Sequence, residues 1–137
     1  YTPLYTLSLH DALPISWLAV AVGGALGSMA RFAVGTWVAA GLGSRFPYGT
    51  LLVNLLGCLL MGLLVVLIDE RWAVPPQWRA FALVGLLGGF TTFSSFSLEA
   101  YTLLRTQQWL AALLYVAGSL LLGLLALAVG IALARRF

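Results

Sequence analysis

Four long apolar runs separated by short polar punctuation make up most of this chain. Trp17 to Ser44 is interrupted by a single charge, Arg31, while Phe46 to Ile68, Ala80 to Leu98 and Thr106 to Ala134 carry none. A membrane-spanning helix needs about 20 predominantly apolar residues, so the pattern predicts four transmembrane helices and an all-α membrane protein. The strands of a membrane barrel would instead alternate polar and apolar residues over short segments, and these runs do not alternate. Short connections are expected at Gly41 to Pro47 and Asp69 to Gln77, both with glycine or proline punctuation, and at Thr106 to Gln108, following a third span that ends near Arg105.

Composition identifies the solvent. Hydrophobic residues are 62% of the chain and charged ones 8%, against roughly 25% charged in a soluble domain, and the mean hydropathy is +1.03. No stretch is left for a soluble domain, and Trp17, Trp37, Trp72, Trp78 and Trp109 fall near predicted span ends, where indole rings prefer the interface. All seven cations are arginine: Arg71, Arg79, Arg135 and Arg136 on one predicted side, Arg45 and Arg105 on the other, Arg31 inside the first span toward that second side. Orientation follows the Lys/Arg bias of short loops; a bias this small lets a chain insert both ways round, which permits an antiparallel dimer. The arginines form no cluster suited to nucleic acid. Cys58, the single cysteine, reads as a small buried residue. Residues 1–16 are expected to be a tail, with 17–137 the transmembrane domain. Tyr1 to Ser16 begins without Met, is no signal peptide, and is similar to read-through of sequencing-adapter DNA; the other reading is a frayed native tail. His10, beside Asp11, has no second ligand for a metal.

Small residues recur at helical spacing: Gly23, Gly27, Arg31 and Gly35 form one stripe of the first span, and Ser119 with Gly123 repeats the spacing in the fourth. In lipid such stripes permit close backbone contact between helices. "GGALGS" lacks the preceding strand and following acid of a dinucleotide site. The polar groups inside the spans need another explanation. Asn54, with Thr50 one turn earlier, sits well within the second span, where an amide costs several kcal/mol unless partnered. An interhelical hydrogen bond is one reading and a ligand site the other. Arg31 is an intramembrane cation, by default a functional-site hypothesis, although it also has the reach to snorkel outward. Glu99 is the acid bordering the third span.

The polarity concentrates in Gly88 to Glu99, "GGFTTFSSFSLE". Paired glycines followed by β-branched threonines break a helix readily, which predicts a third helix broken near its middle, at Gly88 to Thr91. Freed carbonyls and amides at membrane depth must then find protein, water or ions. Past the break, Thr92, Ser95, Phe96 and Glu99 share one helical face, with Phe93 on the neighbouring stripe. Aromatic rings have positive edges, and hydroxyls and an amide add donors. The chemistry suits a small, strongly hydrated anion that must shed water without being trapped, with a structural cation at the break.

Gly23 to Arg31 ("GGALGSMAR"), Gly49 to Asn54 ("GTLLVN") with Gly57, and Gly85 to Glu99 ("GLLGGFTTFSSFSLE") together resemble the small bacterial fluoride channels, the Fluc or CrcB family, over about Trp17 to Phe137 in order and spacing. The resemblance implies a passive, fluoride-selective, multi-pass channel of the bacterial inner membrane, a dual-topology homodimer of four-helix subunits with two antiparallel pores, and membrane lipid as surroundings. It implies that Phe93 and Phe96 line the fluoride path with their ring edges and that Asn54 donates to the ion. Thr50, Ser95, Tyr115 and Ser119 continue a polar track bordered by Glu99, and Arg31 lies near a vestibule. It also implies a central sodium ion held by the backbone carbonyls of Gly88 and Thr91 from both subunits. Ser95 stands where the family commonly has threonine, and Gly123 where some members carry a serine of the track, so the far end of the track departs from the pattern.

No nucleophile–base pair, metal cluster or phosphate loop in the sequence supports an enzyme. Two other classes fit four short spans. A small multidrug exporter would be expected to carry an embedded glutamate in its first span, where this chain has Arg31 and no acid. A non-transporting scaffold would use Asn54 and the Thr/Ser cluster only to join helices.

Overall fold

The computed structural model describes residues 14–137, which are helical apart from short connections. Helix α1 (Pro14–Leu42) ends where Gly43 takes a φ of +78° and donates its N–H to the Ala39 carbonyl at 2.9 Å, a left-handed cap that glycine adopts without a Cβ penalty. The chain then reverses at Pro47. With φ −79° and ψ 62°, and the Tyr48 N–H donating to the Phe46 carbonyl at 2.8 Å, this is an inverse γ-turn, and it launches α2 (Tyr48–Val66). The helix continues through a wider π-type turn, Leu67–Arg71.

Pro76, at a first helical position that tolerates proline, opens α3 (residues 76–90). It comprises the α-turn Pro76–Arg79, the π-helical stretch Ala80–Leu87 and the turn Gly88–Phe90. Thr91 (φ −87°, ψ 159°) and Thr92 (φ −151°, ψ 120°) are extended. Helix α4 (Phe93–Arg105) begins immediately after them, its N-cap made by Thr92, whose hydroxyl accepts the Ser95 N–H at 3.2 Å. It ends in a Schellman turn: the Gln108 N–H reaches the Leu103 carbonyl, the Gln107 N–H reaches the Leu104 carbonyl, and Gln107 has a φ of 60°. Helix α5 (Trp109–Ala134) completes the chain.

Four segments are long and apolar enough to cross a membrane: Pro14–Leu42, Tyr48–Arg71, Pro76–Arg105 and Trp109–Ala134. They follow the order of the four apolar runs, and their ends differ for identifiable reasons. The first begins inside the expected tail, because Pro14 is compatible with a first helical turn; His10, Asp11 and the rest of residues 1–13 lie outside the described residues. The third reaches beyond Ala80 to Leu98 at both ends, since its flanking charges are partnered: Arg79 with Asp69 at 2.7 Å, and Glu99 with two hydroxyls. Gly88 to Thr91 is where an interruption is expected. Gly88 and Gly89 remain helical and the extended pair is Thr91–Thr92. Glycine at 89 serves contact rather than breakage, because a Cβ there would lie 2.6 Å from the Gly24 carbonyl oxygen.

Glycines set the packing. Helix α1 lies on α3, where a Cβ on Gly23 would meet the Phe81 oxygen at 2.6 Å, one on Gly85 the Val20 oxygen at 2.9 Å, and one on Gly27 would overlap the Leu86 oxygen. Helix α2 lies on α5, and a Cβ on Gly62 would overlap the Leu127 oxygen while one on Gly130 would overlap the Leu59 oxygen. This is the close approach that small residues permit between helices in lipid. A Cβ on Gly49 would meet the Cα of Gly35 at 3.0 Å, whereas one on Gly35 itself would meet nothing within 4 Å; Gly123 faces Cys58. A buried cluster of Ala100, Leu103, Ala112 and Tyr115 sits where α4 meets α5. Large apolar side chains such as Leu26, Phe32, Leu113 and Leu121 are exposed on the outside of the helices, as expected of a surface whose solvent is hydrocarbon.

Candidate ion pathway

The extended pair Thr91–Thr92 would leave backbone groups unpaired at membrane depth, where no water substitutes. Asn54, from α2, closes the gap. Its Oδ1 accepts the Thr92 N–H at 2.8 Å and its Nδ2 donates to the Thr92 carbonyl at 3.0 Å, so one side-chain amide satisfies both backbone groups of one residue. An asparagine amide carries two N–H donors, which leaves the second available to a ligand. Gly57, one turn past Asn54 on the same face, makes room: a Cβ there would overlap the Thr91 methyl.

The interruption also redirects two amides. In a continuous helix the Thr92 N–H would be aimed at the Gly88 carbonyl and the Ser95 N–H at the Thr91 carbonyl. Here the first goes to Asn54 and the second to the Thr92 hydroxyl. The Thr91 hydroxyl itself turns back to the Leu87 carbonyl at 3.0 Å. The carbonyls of Gly88 and Thr91 are thereby released from the amides that an unbroken helix would give them. Such oxygen donors suit a hard cation, so the donor set fits the expected sodium.

The aromatic residues begin with the first residue of α4. Phe93 is 76% exposed, its ring centroid 5.6 Å from that of Phe96. Phe96 is half-buried and lies 5.2 Å from Tyr115. Tyr115, on α5, is fully buried, and its hydroxyl donates to Glu99 Oε2 at 2.8 Å, while the Thr50 hydroxyl donates to Glu99 Oε1 at 2.8 Å. Three helices thus meet on one carboxylate, both of whose oxygens accept hydroxyl protons. Ser119, one turn further along α5, has a buried Oγ without a hydrogen-bond partner among the described residues. Ser95 is half-buried on α4, close to the Thr92 cap.

Thr50 and Glu99 also line a cavity of about 440 Å³ that opens beside the α1–α2 connection, together with Phe32, Gly35, Phe46 and Tyr48. Arg31, next to Phe32 in α1, has a buried Nε without a partner among the described residues. Among the described residues no group of three or more His, Cys, Asp or Glu side chains is placed to hold a metal.

The structure therefore brings Thr50, Glu99 and Tyr115 together directly, joins Asn54 to the interruption, and sets Phe93, Phe96 and Ser95 on the helix that follows it. Ser119 continues the line along α5. Arg31 stands on α1. Sequence reasoning passed over Phe46 as a site residue, reading it as the start of the second apolar run and part of the connection before it. Its signal was an aromatic residue directly before a proline that opens a helix.

Comparison with known proteins places this arrangement. The family model described as CrcB-like protein, Camphor Resistance (CrcB), matches residues 18–131. The chain belongs to the CrcB-like family. It is 46% identical over 120 residues to a protein of Chloroflexus aurantiacus named fluoride-specific ion channel FluC, covering 88% of this chain and 95% of that protein. Proteins of the same name from Acidobacterium capsulatum (42% over 122 residues, 89% and 98% covered) and Hahella chejuensis (47% over 116 residues, 85% and 91% covered) are similarly related. With four membrane-capable helices and CrcB-like relatives in bacteria, this is a multi-pass bacterial membrane protein.

Proposed function

We propose that the chain is a passive, fluoride-selective channel of the bacterial inner membrane that lets cytoplasmic fluoride leave. The observation that carries this reading is that the chain is 46% identical over 120 residues to a protein named fluoride-specific ion channel; the neutral polar groups and ring edges of Asn54, Phe93, Phe96, Thr50 and Tyr115 support it. Fluoride is small and strongly hydrated. A fixed cation on its path would trap it, whereas amide and hydroxyl donors and the positive edges of aromatic rings replace water with weaker contacts, the compromise conduction requires. In this mechanism the free Asn54 N–H meets the ion, Phe93 and Phe96 pass it along, and Ser95 and Ser119 relay it past Glu99, whose charge the Thr50 and Tyr115 hydroxyls cover. Arg31 draws anions toward the vestibule. Hydrogen fluoride enters cells as a neutral acid and ionises in the less acidic cytoplasm; the membrane potential then drives the anion out through an open path.

The functional unit is an antiparallel, dual-topology homodimer with two pores, embedded in lipid. The outward-facing Phe93 ring and the apolar outer surface support a second copy as the missing wall. Thr91–Thr92 is read as the break of the third membrane span, and the carbonyls of Gly88 and Thr91, from both copies, would hold a sodium ion whose role is to fix the two breaks together. The test is efflux from liposomes loaded with fluoride or chloride, each followed with an ion-selective electrode. Rapid, valinomycin-dependent fluoride efflux with little chloride efflux is expected; no fluoride efflux from folded protein, or equal flux of both ions, overturns the reading.

A further inference from the structure

We infer that Phe46, in the connection between α1 and α2, is a positioning residue of the ion pathway: it covers Tyr115 and holds that hydroxyl on Glu99. The inference rests on the channel reading and extends it to a residue outside the three spans that bear the path.

Three observations converge on it. The first is placement. The inverse γ-turn at Pro47, closed by the 2.8 Å hydrogen bond from the Tyr48 N–H to the Phe46 carbonyl, fixes the backbone of Phe46 against the first turn of α2. A ring carried on such a turn has little freedom to wander, since proline locks the central φ. The second is contact. Phe46 lies edge-on to Tyr115, with centroids 5.5 Å apart and planes at 79°, while Phe96 lies 5.2 Å away at 51°. Tyr115 is thus gripped between a ring from the connection and a ring from the path, and it is 0% exposed. The third is position relative to water. Phe46 lines the 440 Å³ mouth cavity together with Thr50 and Glu99, so it is the wall between that cavity and the Tyr115 ring.

Cover has a chemical consequence here. Tyr115 and Thr50 supply the hydroxyl protons that occupy the two oxygens of Glu99. If Tyr115 tilts or water reaches it, Glu99 Oε2 turns to water, and the carboxylate presents an unshielded negative charge at the place where an anion must pass. Phe46 thereby tunes the path without touching the ion.

Removing the cover should cost about one well-placed hydrogen bond, or about a tenfold fall in maximal fluoride flux. The experiment compares Phe46→Ala, Phe46→Leu, Tyr115→Phe and the Phe46→Ala/Tyr115→Phe double variant by liposome efflux, with folding checked by size exclusion. Phe46→Ala should lose about tenfold, Phe46→Leu, which refills the space, should recover most of that, and Phe46→Ala should add little in the Tyr115→Phe background. Multiplying losses in the double variant, or Phe46→Ala at wild-type flux, overturns the inference. A second readout does not depend on conduction: nitration by tetranitromethane, mapped by mass spectrometry. Tyr115 should resist nitration in the wild type and in Phe46→Leu but react in Phe46→Ala, with exposed Tyr101 as the internal standard. Protection of Tyr115 in Phe46→Ala sinks the covering role. If the wild type passes no fluoride, the channel reading fails on its own, and the nitration pattern still decides whether Phe46 covers Tyr115.

Discussion

Replacing Asn54 separates its structural task from its proposed ligand task. In Asn54→Leu the side chain keeps a similar size and loses both polar atoms, so the Thr92 N–H and carbonyl lose their partners together. A buried polar group left unsatisfied costs about 1–3 kcal/mol, which for two groups gives about 2–6 kcal/mol. The competing figure is the average interhelical side-chain hydrogen bond in a membrane, about 0.6 kcal/mol, small because the unfolded chain in lipid finds substitutes. Thr92 has a worse choice than that average, because its groups belong to an interruption of the helix. Resealing the helix would capture both groups, but it would rotate α4 and pull Glu99 from Thr50 and Tyr115. The larger figure should therefore win. Equilibrium unfolding by titrating a denaturing detergent into mild-detergent micelles would measure the loss, with Ser97→Ala as a control whose hydroxyl only returns to the Phe93 carbonyl of its own helix. A loss of about 0.6 kcal/mol or less would refute the claim that Asn54 maintains the interruption.

Five further substitutions probe the path and the packing. Phe93→Ile and Phe96→Ile keep bulk without a ring edge and should lower fluoride efflux while the protein still assembles; wild-type efflux in both removes the ring-edge role. Glu99→Gln leaves one acceptor for two hydroxyl donors and should lower efflux by about tenfold, the worth of roughly one hydrogen bond, whereas unchanged efflux dismisses the three-helix cluster from the path. Gly62→Val places side-chain atoms onto the Leu127 carbonyl and should cost about 1–3 kcal/mol or more, while Gly118→Ala, which meets nothing within 4 Å, should be neutral; detergent unfolding of the two variants side by side checks the contrast.

How far the sequence carries depends on which groups are doing the specifying. The spans were legible because bilayer thickness imposes a length on apolar runs, and charge-free stretches such as Phe46 to Ile68 show it without any partner being known. Asn54 was legible as a polar residue in need of a partner. Its partner was not, because it is the backbone of Thr92, and backbone groups leave no mark in a sequence. Gly88–Gly89 looked like breakers, but both are helical, Gly89 meets α1, and the extended residues are Thr91 and Thr92, whose hydroxyl caps α4. The glycines of α1 showed up as a stripe. Gly62 and Gly130 did not, each acquiring its meaning only from the carbonyl of the opposite helix. Phe46 was invisible as a site residue because an aromatic in a connection has many uses, and only its edge-on contact with Tyr115 selects one.

The interruption at Thr91–Thr92 also bears on how the protein is made. Residues 76–90 and Phe93–Arg105 are each shorter than the roughly 20 residues a helix needs to cross the hydrocarbon on its own. At about 1.5 Å per residue, the 13 residues of α4 reach only part of the way. Neither half can settle in the bilayer as an independent span, and joined end to end they expose the Thr92 backbone unless Asn54 is already there. Asn54 precedes Thr92 in the chain, so during synthesis the receiving amide enters the membrane before the segment it must complete. The order of the helices along the sequence thus doubles as an order of assembly, with the second span serving as the template on which the third is received.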